Sequence, residues 1–173
     1  LNQLLSLVPL IAVNSHELME KVSVFFLVKL TPKTKEANVP FNIYETPTAL
    51  QILNCFGEFL LTIPSSEQGN EIRDVIFKQP FLTDAISYLQ KLFPISEGRK
   101  SQTWEKNVDI ETLPALLKTL AGMVCTHAPT QQLFLDQALF QLLLELSLMV
   151  SNNSIGELAS SVIAQATIEP SIY

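Results

Sequence analysis

Glycine is scarce, with 5 in 173 residues, and cysteine and histidine are scarcer still, with 2 each. No Gly-rich phosphate loop is legible, nor are paired catalytic carboxylates or a Ser-His-Asp arrangement. Two cysteines cannot build a disulfide framework, so a reducing compartment is the simplest reading. No stretch reaches the roughly 18 uninterrupted apolar residues that a membrane span needs. The most apolar run, Val22 to Val28, is followed at once by Lys29. No positive n-region or small-residue cleavage site marks a signal peptide. Lys and Arg number 11 against 17 Asp and Glu, and the net charge of -6 argues against a binder of nucleic-acid phosphates. These readings place the chain in the cytoplasm, with the nucleus as a further location. It opens on Leu1 rather than Met, which reads as a piece of a longer protein.

Apolar residues, by contrast, make up 47% of the chain, which excludes overall disorder. They recur at helical spacing nearly everywhere, without strand alternation. Asn14 with Glu17 fits a capping box ahead of Leu18, Val22, Phe25 and Phe26. Thr46 and Pro47 read as N-cap and first residue of a helix to about Leu61. Pro80 opens another. Asp109 or Thr112 caps a helix that tolerates Pro114 in its first turn. Asp136 caps a helix over Leu139 to Val150, and Ser154 with Glu157 opens a last one. Residues 31–46 and 94–108 read as loops. The expectation is one helical domain over 1–173 with seven or eight helices.

A weak repeat runs through this pattern. ALQILNCFGEFLLTIP (49–64) aligns with PALLKTLAGMVCTHAP (114–129), which sets Gly57 on Gly122 and Pro64 on Pro129. A glycine in mid-helix costs up to about 1 kcal/mol against alanine, and a close helix crossing is what justifies it. Long helix, short helix and packing helix, repeated, is the pattern of an all-α armadillo or HEAT-like solenoid.

Cys125 and His127 stand two residues apart and invite a chemical reading. A structural zinc site needs four ligands, and the only other cysteine and histidine are Cys55 and His16, without pair spacing. A nucleophile with its base needs the two side chains to converge, yet helical positions i and i+2 point about 200° apart. The plainer expectation is Cys125 as a small apolar filler and His127 at a helix C-terminus, where a cation is favoured. No catalytic, cofactor or metal residue is therefore assigned. Partner contact is assigned to His16, in a first helical turn, and to Trp104, which either pins its polar loop or meets a partner. Lys21, Lys29, Lys33 and Lys35 around Phe25 and Phe26 resemble a calmodulin target, although core positions for both rings are the simpler reading. Glu67, Glu71 and Asp74 read as a solvated face.

Several segments resemble one family. LVPLIAVNSHELME (7–20) is followed in order by NEIRDVIFKQPFLTDAISYLQKLFP (70–94), TWEK (103–106), LPALLKTLAGMVCTHAPTQQL (113–133) and IGELASSVIAQ (155–165). Together they are similar to the C-terminal region of the giant N-recognin, or UBR-box, ubiquitin ligases, the Pushover, calossin and BIG family. The resemblance implies a helical scaffold beside a RING-like zinc module, a role in the N-degron pathway, and a ubiquitin-conjugating enzyme as partner. It also implies calmodulin as a partner of some members. Zinc is expected in the adjacent module, and none in this segment. The alternative is a generic armadillo-like interaction module of an unrelated scaffold.

Overall fold

A computed structural model describes residues 15–30, 47–92, 112–135, 137–148 and 153–168. These form eight helices and, among the described residues, no strand. In chain order they are α1 (His16–Leu30), α2 (Pro47–Thr62), α3 (Glu67–Phe77), α4 (Pro80–Leu92), α5 (Thr112–Val124), α6 (Ala128–Phe134), α7 (Gln137–Ser147) and α8 (Asn153–Thr167). The expected loops at 31–46 and 94–108, and with them Trp104, lie outside the described residues.

Local chemistry sets the helix boundaries. Pro47 and Pro80 open α2 and α4, where a missing N–H costs nothing. Ser66 caps α3, its hydroxyl accepting a bond from the Gly69 N–H at 3.3 Å. Three expected boundaries shift. The Ser15 hydroxyl, three residues ahead, accepts from the Leu18 N–H, so Ser15 takes the capping place expected of Asn14. Ser154 lies inside α8 instead of capping it, because the helix already begins at Asn153. α7 stops at Ser147, short of Val150; there the Ser147 hydroxyl turns back to the Leu144 carbonyl and Leu148 enters a turn.

The repeat is real in three dimensions. α2 and α5 make the most extensive packing contact of the fold, and α5 packs in turn on α8. Gly57 faces Lys118 and Thr119, while Gly122 faces Leu60 and Leu61. Both pairings differ by about 61 residues, a constant offset, so the two helices run parallel. Lys118 paired with Glu58 obeys the same offset. A Cβ on Gly122 would sit 2.6 Å from the Leu60 Cβ, and one on Gly57 3.0 Å from the Lys118 Cβ. Each glycine thus lets its own helix approach the other's backbone, and the two lie about one turn apart along the crossing.

Around this pair the units are laid out as long, short and packing helices: α2, α3 and α4, then α5, α6 and α7. α8 is the long helix of a third unit. α1 packs on α2 and α3 ahead of the first. The Phe26 ring stacks on Phe56 at 5.2 Å, and Phe56 meets Phe81 edge-on at 5.5 Å, so three aromatic rings tie α1, α2 and α4 together. Leu53, Leu60, Leu116, Leu120, Leu143 and Val162 continue the buried core across the array.

Candidate functional site

Parallel helices bring like ends together. The last carbonyls of α2 and α5 emerge side by side, and each helix C-terminus carries partial negative charge. Arg73, fully buried on α3, fills the gap between them. Its Nε donates to the Gly122 carbonyl at 2.9 Å, Nη2 to Ile63 at 3.0 Å and Nη1 to Pro64 at 3.1 Å. Nη1 also reaches the Asn70 side-chain oxygen at 3.4 Å. Burial lowers the Arg73 pKa, and the nearby Cys125 pulls it back up. The guanidinium nevertheless stays charged at neutral pH. Its compensation is a set of carbonyl dipoles from two units.

One face of α3 reads the whole elbow between α5 and α6. Asn70, Arg73, Asp74 and Phe77 follow i, i+3, i+4, i+7 spacing. Asn70 Nδ2 donates to the Thr126 carbonyl at 3.2 Å. Thr126 itself takes φ of 56°, the left-handed turn that ends α5. Asp74 Oδ1 lies 3.1 Å from His127 Nε2, and the Phe77 ring meets the imidazole edge-on at 5.7 Å. On its other side His127 Nδ1 lies 2.6 Å from the Thr130 hydroxyl. In the neutral imidazole both bonds are met with Nε2–H donating to Asp74 and Nδ1 accepting from Thr130.

This corrects the expected state of His127. It is a buried residue preceding α6, and not a cation on a helix C-terminus. Burial pushes its pKa below the ordinary imidazole range; the bond to Asp74 and that carboxylate's charge pull it back, and the Arg73 charge lowers it further. Asp74, expected on a solvated face, is half exposed there and gives one carboxylate oxygen to this bond. Hydroxyl, imidazole and carboxylate here stand in the order used for acyl transfer, but the Thr130 hydroxyl is sealed inside the fold, where no substrate can meet it. The arrangement went unseen in the sequence because its members come from Asp74 and, 53 residues later, His127.

Cys125 and His127 diverge. Cys125, half-buried, lies 3.3 Å from the Ser65 hydroxyl, on the α2 side of the elbow, while His127 turns to α3. Among the described residues no group of three or more His, Cys, Asp or Glu is placed to hold a metal ion. His16 Nε2 approaches Glu71 Oε2 at 3.1 Å without hydrogen-bond alignment, a contact that becomes an ion pair when the imidazole is protonated. The two neighbouring phenylalanines part company: Phe26 is buried, but Phe25 is 46% exposed.

Gln131 repeats the Arg73 device one unit further on. It is buried on α6, and its Nε2 donates to the carbonyls of Gln165 and Ile168, both at 3.0 Å, at the end of α8. Each short helix therefore carries one buried donor that holds the C-terminus of the next long helix.

No described helix is long and apolar enough to cross a membrane. The family model of the TPR-like domain of the E3 ubiquitin-protein ligase UBR4 matches residues 1–168. A probable E3 ubiquitin-protein ligase of Dictyostelium discoideum is 25% identical over 141 residues, which cover 78% of this chain and 2% of that protein. No solved structure matches. Parallel long helices, crossed at glycines and latched by buried donors, are thus found on a sequence that one domain model spans almost from end to end: the chain belongs to the UBR4 TPR-like domain family of the N-recognin ligases.

Proposed function

We propose that this chain is a non-catalytic helical scaffold within a giant ubiquitin ligase of the N-degron pathway, supporting an adjacent zinc-binding module and touching the ubiquitin-conjugating enzyme. The observation that carries the reading is the match to a ligase domain over residues 1–168. Consistent with it, the buried polar side chains are used to fix one helix against another. Such a segment acts by orientation: it holds the module that engages the charged conjugating enzyme in one geometry and thereby lowers the entropic part of the barrier. The zinc belongs to the neighbouring module, whose ligands lie outside this chain. His16, beside Glu71 at the start of α1, is the partner contact we assign within the described residues.

The test joins this chain to the zinc module of its parent and follows ubiquitin discharge from the conjugating enzyme. Discharge faster than from the zinc module alone is expected. Equal rates with and without the helical segment would sink the mechanism.

A further inference from the structure

The turn between α5 and α6 holds its backbone in an unfavourable conformation. Among the described residues, Thr126 is the only non-glycine residue with positive φ, at 56°. Helices commonly end on a left-handed residue, but glycine or asparagine is the usual occupant. A β-branched side chain crowds its own backbone there, so the conformation persists only where neighbours impose it. Here the neighbours stand on α3. Asn70 donates from Nδ2 to the Thr126 carbonyl at 3.2 Å, and its Oδ1 accepts from the Thr126 hydroxyl at 3.4 Å. One turn further along α3, Asp74 holds the next residue, His127.

The second of these holds is sensitive to protons. His127 is buried, and among the described residues the charged groups that bear on it are Asp74 and Arg73, both on α3. Elsewhere on α3, Glu71 turns to His16 and Lys78 is exposed. α6 carries no ionisable side chain. Lys118 of α5 pairs with Glu58, and Glu157 of α8 is exposed. Cys125, in the turn itself, faces Ser65. A proton on His127 would therefore add a second buried cation to the region of Arg73, balanced by one carboxylate that is half exposed.

We propose that Cys125–His127 is a proton-released hinge: Asn70 and Asp74 hold the left-handed Thr126 turn shut, and protonation of His127 lets the turn open and α6 swing away. Thr126 supplies the strain that opening relieves, and His127 supplies the trigger. Opening carries Gln131 with it, so the donor that holds the end of α8 loosens as well. Burial sets the sign. It lowers the pKa of the closed imidazole, and the bond to Asp74 offsets this only in part. The opened imidazole binds a proton more tightly, so acid favours opening as pH falls through about 6.5, the ordinary imidazole value.

The test is amide hydrogen exchange of this chain at about pH 7.5 and 5.5, with rates corrected for the pH dependence of exchange in an unstructured peptide. In the turn and α6, exchange at least about tenfold faster than in the core of α2 is expected, as for a local opening. One proton on a group with an open-state pKa of about 6.5 raises the opening equilibrium at most about tenfold over this interval, so a rise of about three- to tenfold is expected in the turn and α6. Exchange there as slow as in α2 would mean that the turn opens only with the whole fold. Exchange without the rise would mean that the proton does not open it. Either result overturns the proposal. Two variants separate trigger from strain. His127→Asn should bring the ratio between the two pH values in the turn and α6 close to one, and a ratio kept at the original value assigns the trigger elsewhere and overturns the proposal. Thr126→Gly should slow opening at both pH values, because glycine adopts the left-handed turn without strain. Unchanged or faster exchange in Thr126→Gly overturns the stored strain, and with it the hinge.

Discussion

At the scale of single residues, Arg73 and His127 carry the most consequence. Arg73 is a buried cation whose partners are carbonyl oxygens of two units, so truncating it strands several acceptors at once. Arg73→Ala should cost about 3–5 kcal/mol, the range for breaking a buried charged network, measured by urea unfolding. Arg73→Lys should recover only part of this, because a single ammonium cannot span Gly122, Ile63 and Pro64 with the fixed fork of a guanidinium. His127 predicts a pH dependence. Its pKa is lower folded than unfolded, so the unfolded chain takes up a proton first as pH falls. Stability should therefore decline as pH drops through about 6.5, the unfolded value, and that part of the decline should level off below the folded value. His127→Asn should flatten the melting-temperature profile between pH 7 and 5.5; an unchanged slope would contradict the assignment. Neither role is legible in sequence. NEIRD reads as a charged surface run, and nothing near Arg73 announces Gly122, 49 residues away.

Elements were more legible, because their signals are local. Pro47 and Pro80 open helices where their missing N–H is harmless, and the cap expected at Asn14 falls one residue on at Ser15, while Ser154 lies inside α8. The glycine crossing could be anticipated too: a glycine repeated in the middle of two aligned apolar helices loses helix propensity, which a close approach explains. Direction of packing was not legible, since the alignment does not say whether the copies lie parallel. Gly122→Ala tests the crossing. Alanine should gain up to about 1 kcal/mol of helix propensity on its own. Its Cβ would meet the Leu60 Cβ at 2.6 Å and the Leu60 carbonyl carbon at 2.8 Å, where backbone must move. The net effect should be a loss of about 1–3 kcal/mol, the usual range for overpacking. Gly57→Ala, which faces its nearest atom at 3.0 Å, should lose less. A gain in stability at Gly122 would mean that the helices separate easily.

For the molecule as a whole, the two latches predict where stability resides. Gln131→Leu removes the donor for Gln165 and Ile168 without opening a large cavity. Hydrogen exchange in the last turn of α8 should quicken while α2 and its crossing with α5 stay protected, because repeat arrays lose structure unit by unit. Exchange that rises equally in α2 would show the three units to be one cooperative body. Fold class was legible at this scale because the helical period and apolar content run the length of the chain. The latches were not, because they exist only once the units are stacked.

The latches also have a sense of time. Arg73 leaves the ribosome 49 residues before the Gly122 carbonyl it will hold, and Gln131 leaves it 34 residues before Gln165. Each unit thus presents its donor before the next long helix has been made. Meanwhile Arg73 already has Ile63 and Pro64, on its N-terminal side, to occupy two of its nitrogens. In chain order each short helix thus offers its donor ahead of the long helix it will hold, with the Arg73 socket half filled beforehand and the Gln131 socket still empty.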